Sequence, residues 1–503
     1  METVKTLSLV MVWTIGYRIL GFLRELLIAD RFGANIETDA YFIAQSLPNL
    51  IIEIFAIGAL SSAMIPVFLK FKNEINDFRK ESDIIVGNFL VIGIILLIIL
   101  LIFNRNIVDL IVPGFSKNAK ALTYNLNKIS LMIIPILILN EIYNVLLNCY
   151  GKADKISFSH FIYNFSFLII SLFLSKYYGI CGFIYGIVFS SILRIIYIYY
   201  NLKKCIGIIK LKINFINKNF LEILKLLVPI MIASISVQIN FIVDRVIGSK
   251  LENGSISYLI YANKLIQLPL GIIMGGVVLT TFPVLVEYIE KKNMKMYQAF
   301  IKNKIELIFI IMGFVNAFIF CFPEWILSIL FQRGEFTLEK VMKTSEVLKY
   351  YSFSILSISF ITLFQKIFYS FKITKIPAYI NIASVIINII LNIILSQYYG
   401  VKGIALATMI ANICNGVILF IILNKNNNIF NLKLSNIIKL IILNIIIIIL
   451  GNISKIYLIK YLESNFSLKI IIFLLISLIF LGIYILGILI SYPYKTLFKG
   501  EEI

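Results

Sequence analysis

The sequence predicts an all-α integral membrane protein, because composition and hydrophobic pattern both indicate that class. The 503 residues are 60% hydrophobic and only 14% charged, with a mean hydropathy of +0.96. Soluble domains are about 45–50% apolar and about 25% charged. Apolar stretches of about 20 residues, the length at which a helix crosses a bilayer, recur along the whole chain. We therefore expect about fourteen transmembrane helices.

The predicted spans follow one another with short loops between them, so the sequence contains no sizeable soluble domain. The spans fall at about 5–29, 38–69, 84–104, 121–149, 156–176, 180–201, 222–248, 255–287, 305–323, 344–370, 377–397, 402–424, 435–458 and 468–492. We expect two pseudo-symmetric six-helix lobes followed by two C-terminal helices. Their predicted ranges are 1–206, 215–426 and 434–494.

An internal repeat supports the division into two lobes. The segment Ser175–Gly182 (SKYYGICG) recurs as Ser396–Gly403 (SQYYGVKG). At a similar offset, Tyr41, Gly58 and Pro66 match Tyr258, Gly275 and Pro283. Because six helices are an even number, the two lobes would have the same orientation in the membrane. Parallel repeats of this kind are typical of transporters, with the substrate between the lobes and alternating access by rocking.

The net charge of +20 reflects membrane topology better than nucleic-acid binding. The loops on one side of the predicted membrane carry about 20 Lys and Arg residues, against about 13 on the other side. The positive-inside rule makes the richer side cytoplasmic, and both termini then lie in the cytoplasm. The basic loops would contact lipid headgroups, and we expect no nucleic-acid partner.

Arg18 and Arg24 lie inside the first predicted span. A charge near the bilayer centre costs at least about 2.5–3.5 kcal/mol on insertion scales, so it usually faces a cavity or a partner. Arginine presents a planar fork that suits phosphate, and Lys264, in the second lobe, adds a third cation. These cations predict a clamp for a diphosphate, and Asp39 completes the candidate substrate-binding set. The alternative is that the arginines pair with Asp39 or Glu53, or that Arg24 snorkels to water.

A second candidate site would bind sodium. Asp244 offers a carboxylate, and Asn388 and Asn392 share a helix face at spacing i, i+4. Thr408 lies on the next helix. Hard oxygen ligands of this kind suit a sodium ion. The alternative is that these side chains form hydrogen bonds that hold helices together.

Several other classes of site are not expected. The sequence has no GxxxxGK[ST] motif, so an ATP-driven pump is not predicted. His160 is the only histidine, and the five cysteines are scattered without metal-ligand spacing. We therefore predict no cofactor except the sodium ion, and no histidine-based catalytic or metal centre.

The amino-terminal segments resemble the MurJ (MviN) family of lipid II flippases, within the multidrug/oligosaccharidyl-lipid/polysaccharide exporter superfamily. The segments that carry the resemblance are Arg18–Glu25 (RILGFLRE), Thr38–Ala40, Leu47–Leu50 and Met64–Val67. The resemblance implies a flippase that moves an undecaprenyl-diphosphate-linked peptidoglycan precursor from the inner to the outer leaflet of the cytoplasmic membrane. It matches family cavity arginines to Arg18, Arg24 and, as lysine, Lys264. It also implies a lipid-tail groove at the last two helices, and membrane lipids and the cell-wall synthesis machinery as partners.

The chain departs from the family pattern after Leu50. Where the family usually has one or two arginines and a later acid, this sequence has Ile51, Ile52, Glu53 and Ile57. Asn392 stands where some members carry a carboxylate. The clamp would then rest on three cations. Three alternatives remain. The first is a flippase for another lipid-linked oligosaccharide or a drug exporter of the same superfamily, the second is a membrane-embedded polyprenyl-linked transferase, and the third is a non-transporting scaffold in the wall-synthesis machinery.

Overall fold

A computed structural model describes residues 2–56, 59–71, 73–427, 434–462 and 465–491. Within these residues every regular element is a helix, which confirms the predicted all-α class. The first helices are α1 (Glu2–Phe32), α2 (Ile36–Ala56), α3 (Ala59–Leu69), α4 (Ile75–Ile102), α5 (Asn104–Ile111), α6 (Lys117–Leu131), α7 (Ile134–Cys149), α8 (Ala153–Tyr178), α9 (Cys181–Ile206) and α10 (Lys218–Gly248). The remaining helices are α11 (Ser255–Pro269), α12 (Gly275–Glu290), α13 (Met294–Cys321), α14 (Pro323–Phe331), α15 (Leu338–Ser370), α16 (Lys375–Tyr399), α17 (Val401–Asn427), α18 (Leu434–Leu458) and α19 (Phe466–Ser491).

In the described part of the chain, 11 helical segments are long and apolar enough to cross a membrane. Each of them coincides with one of the predicted spans. The other three predictions correspond to α1, to α2 with α3, and to α10. The protein is therefore a multi-pass membrane protein, and the count of fourteen spans stays a prediction.

The chain divides into two compact units, Met1–Ser257 and Tyr258–Ile503. Buried apolar side chains, among them Phe68, Phe78 and Phe89, form a core in the first unit. In the second unit, Trp325 and Phe480 belong to a core that α13 and α14 share with α18 and α19. The division groups α10 with the first unit, whereas the sequence prediction begins the second lobe at residue 215. The predicted ranges 1–206, 215–426 and 434–494 stay a prediction.

The sequence repeat forms the same turn twice. Gly179 ends α8 with φ +53°, and Gly400 ends α16 with φ +57°; side chains rarely adopt this conformation. A Cβ atom at Gly182 would lie 2.5 Å from the backbone of Leu174, and one at Gly403 would overlap the equivalent backbone. The repeat is therefore explained by two helical hairpins, α8–α9 and α16–α17, whose backbones approach closely.

We expect Gly182→Ala and Gly403→Ala each to lower the free energy of unfolding by about 1–3 kcal/mol, because the added methyl group must displace backbone. The control is Gly482→Ala in α19, where a Cβ atom would meet nothing within 4 Å. Since alanine is the better helix former, that change should be neutral or slightly stabilising. Thermal unfolding midpoints of the purified protein test the prediction. Equal midpoints for Gly182→Ala and Gly482→Ala would contradict it.

Candidate functional site

Arg24 lies in a mostly buried site between α1 and α8. Its side chain is 17% exposed, and its Nη2 donates to Glu25 Oε1 at 2.9 Å. The guanidinium carbon lies 5.5 Å from the centre of the Phe167 ring, and Tyr41 and Tyr163 are close by. Aromatic faces attract guanidinium groups, and a buried carboxylate offsets their charge. The structure thus pairs Arg24 with Glu25, the acid that follows it in the sequence.

Arg18 occupies a different environment on the same helix. Its side chain is exposed, as are those of Ile15 and Ile19 beside it in the sequence. Of the two arginines predicted to bind the diphosphate, Arg18 is therefore exposed and Arg24 is mostly enclosed.

Lys264 lies on α11, where its side chain is exposed while Tyr261 and Leu265 are buried. Five residues further on, α11 ends at Pro269 and continues through a π-helical turn, Leu270–Met274, into α12. Single π-helical turns are frequent at functional sites. Lys264 belongs to the second unit and the arginines belong to the first, so no contact within either unit relates all three cations. The three-cation clamp stays a prediction.

Asp39 has a structural position at the start of α11. Its carboxylate accepts hydrogen bonds from the backbone N–H groups of Gly254 at 2.8 Å and Ser257 at 2.7 Å. The Ser257 hydroxyl donates a further bond at 2.5 Å. These are the orphan donors at a helix N-terminus, which carboxylates stabilise. With Asp39 only 1% exposed, its oxygens are not accessible to a substrate in this conformation.

The predicted sodium ligands are divided between the units. In the second unit, Asn388 Nδ2 donates to Thr408 Oγ1 at 3.2 Å, and Asn392 Nδ2 donates to Asn388 Oδ1 at 2.8 Å. The first bond joins α16 to α17, as expected for helix-packing residues, and the second lies within α16. Asp244 lies in the first unit, half-buried near the end of α10. The sodium site therefore stays a prediction.

An apolar groove of about 360 Å³ lies on the second unit, among α13, α15, α17 and α18. The four phenylalanines that line it are Phe309, Phe360, Phe364 and Phe420. Ile437, on α18, adds to the lining and connects the groove to the C-terminal helix pair. A groove with this lining suits an acyl or prenyl chain rather than a sugar.

Buried charges attach the C-terminal helix pair to α14 of the same unit. Lys455 Nζ, on α18, lies 2.5 Å from Glu324 Oε1, and Glu324 is 6% exposed. Lys469, on α19, is 7% exposed and donates to Gln332 Oε1 at 2.9 Å and Ser328 Oγ at 3.2 Å. The sequence prediction did not identify these contacts. The signal that could have identified them is the position of charged residues at the ends of apolar spans.

The sequence of this chain is similar to the sequences of known proteins. The sequence model of the family described as Lipid II flippase MurJ matches residues 28–478. The probable lipid II flippase MurJ of Buchnera aphidicola subsp. Schizaphis graminum (strain Sg) is 31% identical over 451 residues, which cover 86% of each chain. The probable lipid II flippase MurJ of Vibrio cholerae is 26% identical and covers 81% of this chain and 80% of its own.

Solved structures agree with the sequence relatives. The structure titled Lipid II flippase MurJ, inward closed conformation, is similar with a TM-score of 0.80 and 27% identity, over 98% of this chain and 100% of its own. An inward-facing multidrug resistance transporter of the MATE family shares the fold, with a TM-score of 0.60 at 16% identity, over 82% of this chain and 99% of its own. The family match covers most of the sequence and the flippase structure covers nearly all of it, so this chain belongs to the MurJ family of lipid II flippases.

Proposed function

We propose that this protein translocates lipid II, the undecaprenyl-diphosphate-linked peptidoglycan precursor, from the inner to the outer leaflet of the cytoplasmic membrane. The observation that carries the proposal is the family match over residues 28–478. The likeness to a lipid II flippase structure over 98% of this chain supports it. The alternating access of parallel-repeat transporters would supply the mechanism. A flippase relocates its lipid without altering it, which sets this function apart from the transferase alternative.

In this proposal Arg18, Arg24 and Lys264 hold the diphosphate. Arg24 would exchange its contact with Glu25 for phosphate oxygens, which match the guanidinium fork in geometry and charge. Phe167 would stay against the guanidinium face. The three cations supply the clamp even though Ile51 and Ile52 occupy positions where family members carry arginine.

The lipid tail would remain in an apolar environment while the head group crosses. The groove lined by Phe309, Phe360, Phe364 and Phe420 supports this role, because it is apolar and reaches α18. The contacts of Glu324 and Lys469 with the C-terminal helix pair keep α18 and α19 beside that groove. Neighbouring membrane lipids would fill the groove between transport cycles.

The proposal also covers the membrane topology of the protein, its energy source and its partners. Both termini would lie in the cytoplasm, in accord with the positive loops. Membrane potential, or sodium bound by Asp244, Asn388, Asn392 and Thr408, would supply the energy. On the outer face the translocated lipid would pass to the cell-wall synthesis machinery.

Complementation tests the proposal. A bacterial strain depleted of its own lipid II flippase should grow when it expresses this chain, because lipid II again reaches the outer leaflet. An empty vector is the control, and membrane fractions should show that the protein is inserted. Failure to support growth despite insertion would contradict the proposal and favour another lipid-linked oligosaccharide, or a drug, as the substrate.

A further inference from the structure

The linker between α9 and α10, residues 207–217, lies against α4 of the first unit. The backbone N–H of Lys210 donates to Asp83 Oδ1 at 2.7 Å, and that of Lys212 donates to the Asp83 carbonyl oxygen at 3.1 Å. Two residues further on, Asn214 N donates to Asn88 Oδ1 at 2.8 Å, and Asn88 Nδ2 donates back to Asn214 O at 2.8 Å. Because every second N–H group binds α4, the linker runs as an extended chain.

The residues of α4 that hold the linker are buried. Asp83 is 4% exposed, and Asn88 is fully buried. A Cβ atom at Gly87 would lie 2.2 Å from the Lys212 carbonyl oxygen, so the missing side chain of glycine lets the two backbones approach. Buried polar groups that are satisfied by a backbone fix its position. The linker is therefore a defined wall of the first unit.

This wall closes one side of an apolar groove of about 320 Å³. The residues that line the groove come from α7, α9 and the linker, and they are Tyr143, Ile195, Ile196, Tyr199, Ile209 and Leu211. Alternate side chains of an extended chain share a face, which explains why Ile209 and Leu211 both line the groove. Ile196 belongs to a membrane-spanning helix and is 58% exposed, so the groove opens towards lipid. A hydrocarbon chain suits such a groove better than water, which would find few polar partners there.

Two lysines lie beside the groove and have no acidic partner. Lys203 follows Tyr199 by one turn on the same face of α9, and Lys210 lies between the two linker residues that line the groove. Both side chains are exposed. Within the described residues, neither ammonium group forms an ion pair or a hydrogen bond. Their charges are therefore available to an anion at the end of the groove.

The linker also exposes apolar side chains next to these lysines, among them Ile208, Ile213 and Ile216. A segment that combines exposed apolar residues with lysines is typical of the membrane–water interface. The linker belongs to the Lys- and Arg-rich side of the predicted topology, which is the cytoplasmic side. The leaflet on that side carries a negative surface potential, which complements the charge of the lysines.

We propose that this groove binds an anionic phospholipid of the cytoplasmic leaflet. One acyl chain would lie between α7, α9 and the linker, and Lys203 and Lys210 would bind the phosphate of the head group. The ligand is a glycerophospholipid of the surrounding membrane, so the inference goes beyond the proposed function and does not depend on it. Because the ligand contacts three segments that meet only in the folded protein, its binding stabilises the folded state.

Binding of phospholipids to the purified protein tests the inference. The protein in detergent micelles is titrated with phosphatidylglycerol or with zwitterionic phosphatidylcholine, and native mass spectrometry counts the lipid molecules that stay bound. We expect one phosphatidylglycerol molecule to bind at a lower concentration than phosphatidylcholine and to raise the thermal unfolding midpoint. Inorganic phosphate has no acyl chain and should leave the midpoint unchanged. An equal rise with inorganic phosphate would overturn the inference.

Variants of the lysines and of the lining test the two parts of the site separately. Lys203→Gln combined with Lys210→Gln should weaken phosphatidylglycerol binding roughly thirtyfold, since two lysines near an anionic head group are removed. Ile196→Trp fills the groove and should weaken binding roughly tenfold, since part of the acyl chain loses its apolar contacts. All three positions are exposed, so the variants should fold as the wild type does.

Control variants carry the same changes away from the groove. Lys176→Gln combined with Lys250→Gln removes two exposed lysines near the far ends of α8 and α10, and Ile169→Trp changes an exposed residue of α8. Both controls should bind phosphatidylglycerol as the wild type does. Equal affinity of the wild type for the two phospholipids, wild-type affinity in either site variant, or an equal loss in the matched control would overturn the inference. Because lipid II is absent from these measurements, none of these outcomes affects the proposed function.

Discussion

Arg24→Ala is expected to slow lipid II translocation by at least about a hundredfold. The change removes the enclosed cation of the clamp and leaves the carboxylate of Glu25 buried without it. Hydrogen bonds to charged groups are worth about 1.5–3 kcal/mol each, so the loss of a two-bond contact between the guanidinium and phosphate, at about 1.4 kcal/mol for each factor of ten, gives this magnitude. The initial rate at which labelled lipid II changes leaflet in proteoliposomes measures the effect. Arg18→Ala is expected to reduce the same rate.

Matched variants distinguish an effect on substrate binding from an effect on folding. Arg24→Lys keeps the charge but loses the fork, so its rate should lie between those of the wild type and Arg24→Ala. Arg24→Ala combined with Glu25→Gln leaves no buried carboxylate, so it should recover stability without recovering transport. Lys70→Ala alters an exposed pair and should keep the wild-type rate. Wild-type transport by Arg24→Ala would contradict the assignment.

Glu324→Ala is expected to lower the free energy of unfolding by about 2–4 kcal/mol, since it leaves a partly buried lysine without its partner. The range allows for Lys455, whose side chain is 23% exposed, against 8% for Glu324. The thermal unfolding midpoint of the purified protein measures the loss.

Replacing both partners provides the control for this prediction. Glu324→Gln with Lys455→Met leaves neither charge buried, so most of the stability should return. Glu287→Ala removes an exposed i, i+4 partner of Lys291 and should cause no measurable shift. If Glu324→Ala unfolds at the same temperature as Glu287→Ala, the ion pair does not hold the C-terminal helices.

Sequence patterns identified the features that depend on local chemistry. Hydrophobic spans predicted the all-α class, and the repeated SxYYGxxG segment predicted two equivalent elements. The spacing of Asn388 and Asn392 predicted a shared face, and the two side chains are hydrogen-bonded. Each of these predictions follows from helix periodicity or turn chemistry, which are properties of neighbouring residues.

The same sequence patterns did not predict the tertiary contacts. Glu25 directly follows Arg24 in the sequence. Because neighbouring residues do not share a helix face, the sequence analysis considered more distant acids as partners for Arg24. The long arginine side chain nevertheless reaches back to it. Asp39 was placed in the predicted substrate-binding set, whereas its hydrogen-bond partners Gly254 and Ser257 lie far along the chain. Glu141 and Arg194, which form an ion pair between α7 and α9, likewise meet only after the helices have packed.

Translocation by the purified protein tests the central claim most directly. Labelled lipid II is placed in proteoliposomes, its distribution between leaflets is followed over time, and the lipid is then analysed chemically. The account predicts that lipid II changes leaflet faster with this protein than with Arg24→Ala, and that its chemical structure is unchanged. Lipid II that stays in its original leaflet, or that is recovered chemically altered, would contradict it.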